Sequence, residues 1–202
     1  MANPGRSALK DIRFACIGVG GKGGSDSTNM SGIGKVVAIC DVDEETLGKK
    51  NIEFPDAKKY TDYRKLFDEM GDKIDAVSVS TPDHMHAVIA LQALRMGSKH
   101  CYCQKPLTHS IEEARMMREV AEAKSVKTQM GNQGTALNNL RESAALCRAG
   151  IVGAPKEIHV WTNRPVWPQS FGLKVKTAPE AGEEEAWGKR KSKVHWKNWL
   201  VR

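Results

Sequence analysis

The chain has 202 residues, 40% hydrophobic and 27% charged, with a formal net charge of +7, the profile of a globular rather than a disordered protein. No window approaches the ~18 consecutive apolar residues of a membrane helix, and Met1 to Lys10 has no signal-peptide-like apolar stretch, so the cytoplasm is the default compartment. The positive charge is concentrated at one end, with 8 basic and 4 acidic side chains in residues 171–202 against 23 and 20 elsewhere, and all five tryptophans (161, 167, 187, 196, 199) lie in the last 42 residues.

Ile12 to Val19 (IRFACIGV) is an almost continuous apolar run, too short for a buried helix and closed by glycines, which predicts a strand covered on both faces. Gly18-Val19-Gly20-Gly21-Lys22-Gly23 follows with G-x-G-x-x-G spacing, just before a short helical candidate at Ser25 to Met30. A missing Cβ permits the tight turn at Gly18, lets a pyrophosphate approach the backbone at Gly20, and lets helix pack on strand at Gly23. The anion then rests on free N–H groups at the helix start, with the Lys22 charge beside it. A merely flexible turn is the bland alternative. It loses ground because Lys35 to Cys40 reads as a second strand ending in Asp41, 21 residues after Gly20. There a carboxylate accepts hydrogen bonds from adenosine ribose hydroxyls and repels a 2′-phosphate, favouring NAD over NADP. Capping of the next helix by Asp41 or Asp43 is the structural alternative.

Tyr63 to Met70 predicts a helix and Ile74 to Ser80 a strand, whose end carries Ser80-Thr81-Pro82. Ligands of an open parallel sheet bind outside its carboxyl edge, so these residues are candidates for cofactor contact, as is His86. Thr81 as a cap and Pro82 as the first residue of a helix running to Met96 are sufficient structural reasons for both. His84 and His86 fall about 200° apart around that helix, which excludes their chelating one metal, and no metal site is expected.

Lys99 to Cys103 reads as a strand that delivers Gln104-Lys105-Pro106 to the same edge. Lys105 either snorkels to water or donates a hydrogen bond to a substrate hydroxyl and relays its proton. Burial and a positively charged oxidised nicotinamide both favour the neutral amine that can act as base. Ser110 and Glu113 have capping-box spacing at the start of a helix over Ile111 to Lys124, with His109 either capping it or lining the crevice. Val126 to Met130 supplies one more strand. The five cysteines (16, 40, 101, 103, 147) lack C-x-x-C pairing and read as reduced, buried thiols. Strands alternating with helices at this spacing imply an α/β fold, a Rossmann-type doubly wound parallel sheet.

The glycine loop, Asp41, Thr81-Pro82-Asp83-His84-Met85-His86 and above all Cys103-Gln104-Lys105-Pro106-Leu107-Thr108 resemble the glucose-fructose oxidoreductase, inositol dehydrogenase and rhizopine-catabolism (Gfo/Idh/MocA) family. Met130-Gly131-Asn132-Gln133-Gly134 and Val160-Trp161-Thr162-Asn163-Arg164-Pro165-Val166-Trp167-Pro168 resemble one branch of it, common among bacterial sugar-processing enzymes. The resemblance implies a dinucleotide domain over residues 1–135, bound NAD(P), and hydride exchange with a sugar, cyclitol or related polyol. It further implies that Lys105 is the lysine of the family's E-K-P motif, close to nicotinamide and substrate, with Asn132 nearby and Trp161 and Arg164 as substrate candidates.

Gln104 replaces the glutamate of that motif, so Gln104→Glu is expected to move the basic limb of catalysis upward in pH. Family members continue into a large α+β substrate domain. Here residues 136–202 read as its incomplete start, with a helix at Leu137 to Ala149, a strand at Glu157 to Asn163 and then a divergent basic tail. Two alternatives stay open beside the oxidoreductase: a truncated member that binds dinucleotide with little turnover, and the family's NAD-dependent glycosidase. The Lys189 to Lys193 cluster with its tryptophans also has the composition of a nucleic-acid binder, but a solvated tail explains it as well, and no nucleic-acid or membrane partner is expected. A homo-oligomer is compatible with these residues, none of which fixes it.

Overall fold

The structure, a computed structural model, describes residues 12–97 and 99–161. They fall into two compact units, one ending at Gly131 and one beginning at Asn132. The first contains strands β1 (Arg13–Ile17), β2 (Lys35–Cys40), β3 (Lys58–Tyr60), β4 (Ala76–Val79), β5 (His100–Gln104) and β6 (Thr128–Gly131), with helices α1 (Gly21–Ser31), α2 (Glu44–Glu53), α3 (Tyr63–Met70), α4 (Asp83–Arg95) and α5 (Ile111–Ala123). All strand pairs are parallel, in the order β3-β2-β1-β4-β5-β6. This is the doubly wound order, and its switch point lies between β1 and β4, where successive crossovers depart in opposite directions.

Both sheet faces are covered, which is why the central strands β1, β2 and β4 read as largely apolar runs. Phe14 and Cys16 of β1 and Ile39 of β2 pack with Met30 of α1 and Leu47 of α2 on one face. Ala15, Ile17, Val77 and Val79 pack on the other with Leu66 of α3, Ile89 and Leu94 of α4 and Met117 of α5. Each fully buried large aliphatic side chain contributes about 1.5–3 kcal/mol of transfer free energy.

Several predicted boundaries move. Helix α1 starts at Gly21, four residues before the expected Ser25, because glycines carry a poor helical signal although tertiary packing overrides it. The sequence pattern sets no bounds for α2 and does not mark β3. Leu47 is the one buried side chain of α2, and β3 is a three-residue edge strand with two exposed lysines. Helix α4 is capped at Pro82, so Thr81 lies one residue too early to cap it and makes no cap hydrogen bond. The Ser110–Glu113 capping box is present, and His109 joins it, its backbone N–H donating to the Glu113 carboxylate at 3.0 Å. Four of the cysteines are buried, Cys16 and Cys101 pushed up to about 12 by burial, whereas Cys147 is exposed, against expectation, on a helix with no buried residue.

The second unit holds α6 (Gln133–Ala136) and α7 (Asn138–Arg148). Residues 157–161 form no strand, contrary to the predicted one at Glu157 to Asn163, whose last two residues lie outside the described ones. A strand needs a partner for its backbone groups, and among the described residues none pairs with this segment, leaving Val160 91% exposed. Among the described residues no helix is long and apolar enough to cross a membrane.

At the sheet's amino edge Arg13 clamps Asp75 through its side chain at 2.9 and 2.8 Å and its backbone N–H at 2.9 Å. These hydrogen bonds hold the Asp75 carboxyl down to about 2. A depressed carboxylate contributes stability that is present above the ordinary carboxylate range and lost as pH falls through about 2. Arg13→Ala is therefore expected to flatten the acid limb of stability, measured as melting temperature between pH ~5 and ~2, by a small and salt-sensitive amount because the pair is half exposed.

Candidate active site

The glycine loop leaves β1 directly into α1. Gly18 has φ +77°, and a Cβ there would stand 2.6 Å from the Ser80 carbonyl oxygen, so both backbone conformation and space exclude a side chain. A Cβ on Gly23 would collide with the Gly18 carbonyl group, so α1 sits against β1 with no room to spare. Asp41 at the end of β2 accepts from the backbone N–H groups of Val19 at 2.9 Å and Gly20 at 3.2 Å through one carboxylate oxygen, and from Asp43 at 3.0 Å through the other. Asp41 therefore shapes the loop from its own side, while capping of α2 falls to Asp43, which accepts from the Glu45 N–H.

A cavity of about 120 Å³ opens where these strand ends meet. Gly18, Gly20 and Asp41 line it together with Thr61, Thr81 and Ile89. Its wall is mixed, apolar from Ile17, Met85 and Ile89 and polar from Asp41 and Thr81, which suits a heterocycle carrying a hydroxylated sugar. Among the described residues the Thr81 hydroxyl is the one buried side-chain oxygen or nitrogen without a hydrogen-bond partner. An orphaned polar atom lining a cavity signals a missing ligand or water. The glycines, the carboxylate and the free hydroxyl thus fit an adenine dinucleotide.

Across the switch point, β5 ends in the buried Gln104, and Lys105 follows it, exposed. Gln104 donates from its amide to Asp26 at 2.8 Å and to the Tyr102 hydroxyl at 3.3 Å. Asp26, on α1 and 3% exposed, also accepts from the Ser80 hydroxyl at 2.8 Å and pairs with Lys22. Two sequence expectations change here. The Lys22 ammonium is held by a carboxylate one turn on rather than standing free for phosphate. Gln104→Glu would first bring a second carboxylate against Asp26, before any effect on Lys105.

His86 is corrected as well. Its ring is 1% exposed, with Nδ1 2.6 Å from the Pro106 carbonyl oxygen and Nε2 2.7 Å from that of Thr81. Both nitrogens are occupied, so His86 ties the residues after β4 to those after β5 instead of touching a cofactor. Pro82, exposed at the cap of α4, lines the cavity, and so does Ser80. Asn132 and Trp161 are exposed residues of the second unit, and Arg164 lies outside the described residues. Sequence reading missed Asp26 and the cavity residues Thr61, Tyr63, Met85 and Ile89. The i,i+4 spacing of Lys22 and Asp26 was a legible signal for the ion pair, but not for its burial.

A family profile described as "Oxidoreductase family, NAD-binding Rossmann fold" (GFO_IDH_MocA) matches residues 12–132. The chain is 31% identical over 128 residues to glucose-6-phosphate 3-dehydrogenase of Bacillus subtilis, covering 59% of this chain and 33% of that protein. It is 24% identical over 166 residues to myo-inositol 2-dehydrogenase of Thermotoga maritima, covering 81% of this chain and 49% of the relative. Scyllo-inositol dehydrogenase of Lactobacillus casei, solved with bound NAD(H) and scyllo-inositol, superposes with a TM-score of 0.61 at 25% identity over 71% of this chain and 43% of that one. The chain thus spans between a third and a half of the length of these proteins.

Proposed function

The chain belongs to the oxidoreductase family with an NAD-binding Rossmann fold, and on that premise we propose that it transfers a hydride between NAD and a carbinol carbon of a sugar, cyclitol or related polyol. The cavity at the switch point carries this reading. It joins the glycine loop, the Asp41 carboxylate and the unpartnered Thr81 hydroxyl in one place. Residues 1–135 form the dinucleotide domain in this proposal, and residues from 136 onward begin the substrate domain.

Bound NAD supplies a two-electron acceptor or donor. The chain's own residues do the rest. Gly18, Gly20, Gly21 and Gly23 let the backbone approach the pyrophosphate, and the first-turn N–H groups of α1, rather than those of Val19 and Gly20 that Asp41 holds, take its charge. Asp41 and Thr81 take the adenosine end, with Asp41 disfavouring a 2′-phosphate. Lys105 lies beyond the switch point, where a dinucleotide crossing the sheet edge places its other half, and its Nζ holds or removes the substrate hydroxyl proton. Asn132, Trp161 and Arg164 are proposed to contact the substrate.

Titration of the full chain tests the reading. NAD is expected to stabilise it by about 2.7 kcal/mol at a hundredfold excess over the dissociation constant, NADP markedly less, as read by thermal unfolding. Nicotinamide absorbance on a panel of sugars, sugar phosphates and cyclitols then reports turnover. No stabilisation by either dinucleotide would refute the proposal, and binding without turnover on any substrate would reduce it to a dinucleotide module.

A further inference from the structure

We propose that Asp26 is a positioning residue whose buried carboxylate joins the pyrophosphate loop to the strand end that carries Lys105, and that this carboxylate is what makes position 104 an amide. The proposal deepens the hydride-transfer reading and rests on it for the role of Lys105.

Asp26 lies on α1 one turn after Lys22, with its side chain between the carboxyl ends of β4 and β5. One oxygen accepts from the Ser80 hydroxyl and from the Gln104 amide, at 2.8 Å each, and the other from Lys22. Each of these three partners is a donor, which suits the acceptor oxygens of a carboxylate at 3% exposure. The Gln104 amide spends its second hydrogen on the Tyr102 oxygen. Gly131 on β6 leaves the room for this, since a Cβ there would stand 2.7 Å from both the Gln104 nitrogen and the Tyr102 hydroxyl. Five side chains from α1, β5 and the end of β4 therefore form one connected set of hydrogen bonds between the glycine loop's helix and the residue next to Lys105.

Polarity inside that set is fixed. A carboxylate at position 104 would bring an acceptor-only oxygen to an acceptor-only oxygen, and the pair would have to share a proton. Exchanging the two roles removes the conflict. In D26N/Q104E the amide at position 26 can donate to the carboxylate at position 104 and still accept from Lys22, with the charge of the cluster unchanged. Among the described residues, Lys22 on its own helix, Tyr102 on β5 and Cys16 on β1 are the titratable groups that act on Asp26, and each remains in both arrangements.

The test is a cycle of D26N, Q104E and D26N/Q104E in the full chain, read by melting temperature across pH and by NAD titration. Q104E is expected to melt ~5 °C or more below the natural protein, with the deficit growing as pH rises from ~5 to ~8, because the shared proton raises the folded-state pKa and its stabilisation is lost upward. D26N leaves Lys22 without its counter-ion. Each single variant is expected to weaken NAD binding ~10-fold, and the double variant to return to within ~3-fold with a pH-independent melting deficit. If Q104E does not fold, recovery of soluble protein on adding D26N supports the proposal and continued failure overturns it. A Q104E protein that melts like the natural one at every pH overturns it, as does a double variant no better than the sum of the singles. Normal NAD affinity in both singles beside the expected melting cycle makes the pair structural only and removes the positioning role. Failure of the natural chain to bind NAD would count against hydride transfer, while the melting cycle still decides the pairing of Asp26 with Gln104.

Discussion

Lys105→Ala is expected to lower turnover ~10³-fold while leaving NAD affinity within about threefold of the natural chain, because it deletes a proton-handling group and little else. The backbone around position 105 is held by its neighbours rather than by the lysine. Gln104 is anchored on Asp26 at 2.8 Å, and the Pro106 carbonyl oxygen lies 2.6 Å from His86. Lys105 itself is exposed, so its truncation leaves no cavity and no orphaned partner in the core. Lys105→Arg sharpens the test. A guanidinium keeps the positive charge but does not release its proton under working conditions, so it restores activity only if charge alone is what the site needs. Continued inactivity of the arginine variant with intact NAD binding identifies proton transfer at Nζ. Rates within tenfold of the natural protein for Lys105→Ala would remove Lys105 from catalysis. The measurement is kcat on whichever polyol the panel identifies, beside the dissociation constant for NAD.

Most of the dinucleotide half was legible because its signals are local. The runs that became β1, β2 and β4 are apolar on both faces, and the spacing of Gly18, Gly20 and Gly23 marks a strand-to-helix turn wherever it occurs. Elements with weak local signals were harder to read. Glycines hid the start of α1, and α2 buries Leu47 alone. The side-chain partnerships were not legible at all, because they join residues distant in sequence. Gln104 and Asp26 are separated by 78 positions and Ser80 and Asp26 by 54. The sequence puts His86 in the first turn of α4 as a candidate cofactor contact, but the two carbonyl oxygens against its ring nitrogens come from residues 5 and 20 positions away and carry no local signal. The expected strand at Glu157 failed for a related reason. Alternating apolar residues specify a strand only when a second strand is available, and Ile158 and Val160 are instead 81% and 91% exposed.

Gly23→Ala is expected to weaken NAD binding between ~5-fold and ~150-fold, the equivalent of about 1–3 kcal/mol of overpacking. The added methyl would overlap the Gly18 carbonyl oxygen and stand 2.8 Å from its carbon and 3.0 Å from the Ser80 Cβ. Two of these atoms are backbone, so no rotamer change relieves the contact. The first turn of α1 must lift from β1, and it carries with it the first-turn N–H groups and Lys22, with Asp26 one turn on. Alanine is the better helix former, so propensity alone predicts a gain of up to ~1 kcal/mol, and a loss therefore measures space rather than helicity. Gly48→Ala supplies the control. Gly48 lies within α2, is exposed, and would find no heavy atom within 4 Å of a new Cβ, so the same substitution there is expected to raise the melting temperature and leave NAD affinity unchanged. A Gly23→Ala protein that binds NAD within twofold of the natural chain would mean that the loop tolerates displacement of α1, and that close packing of helix on strand is not what shapes the phosphate site.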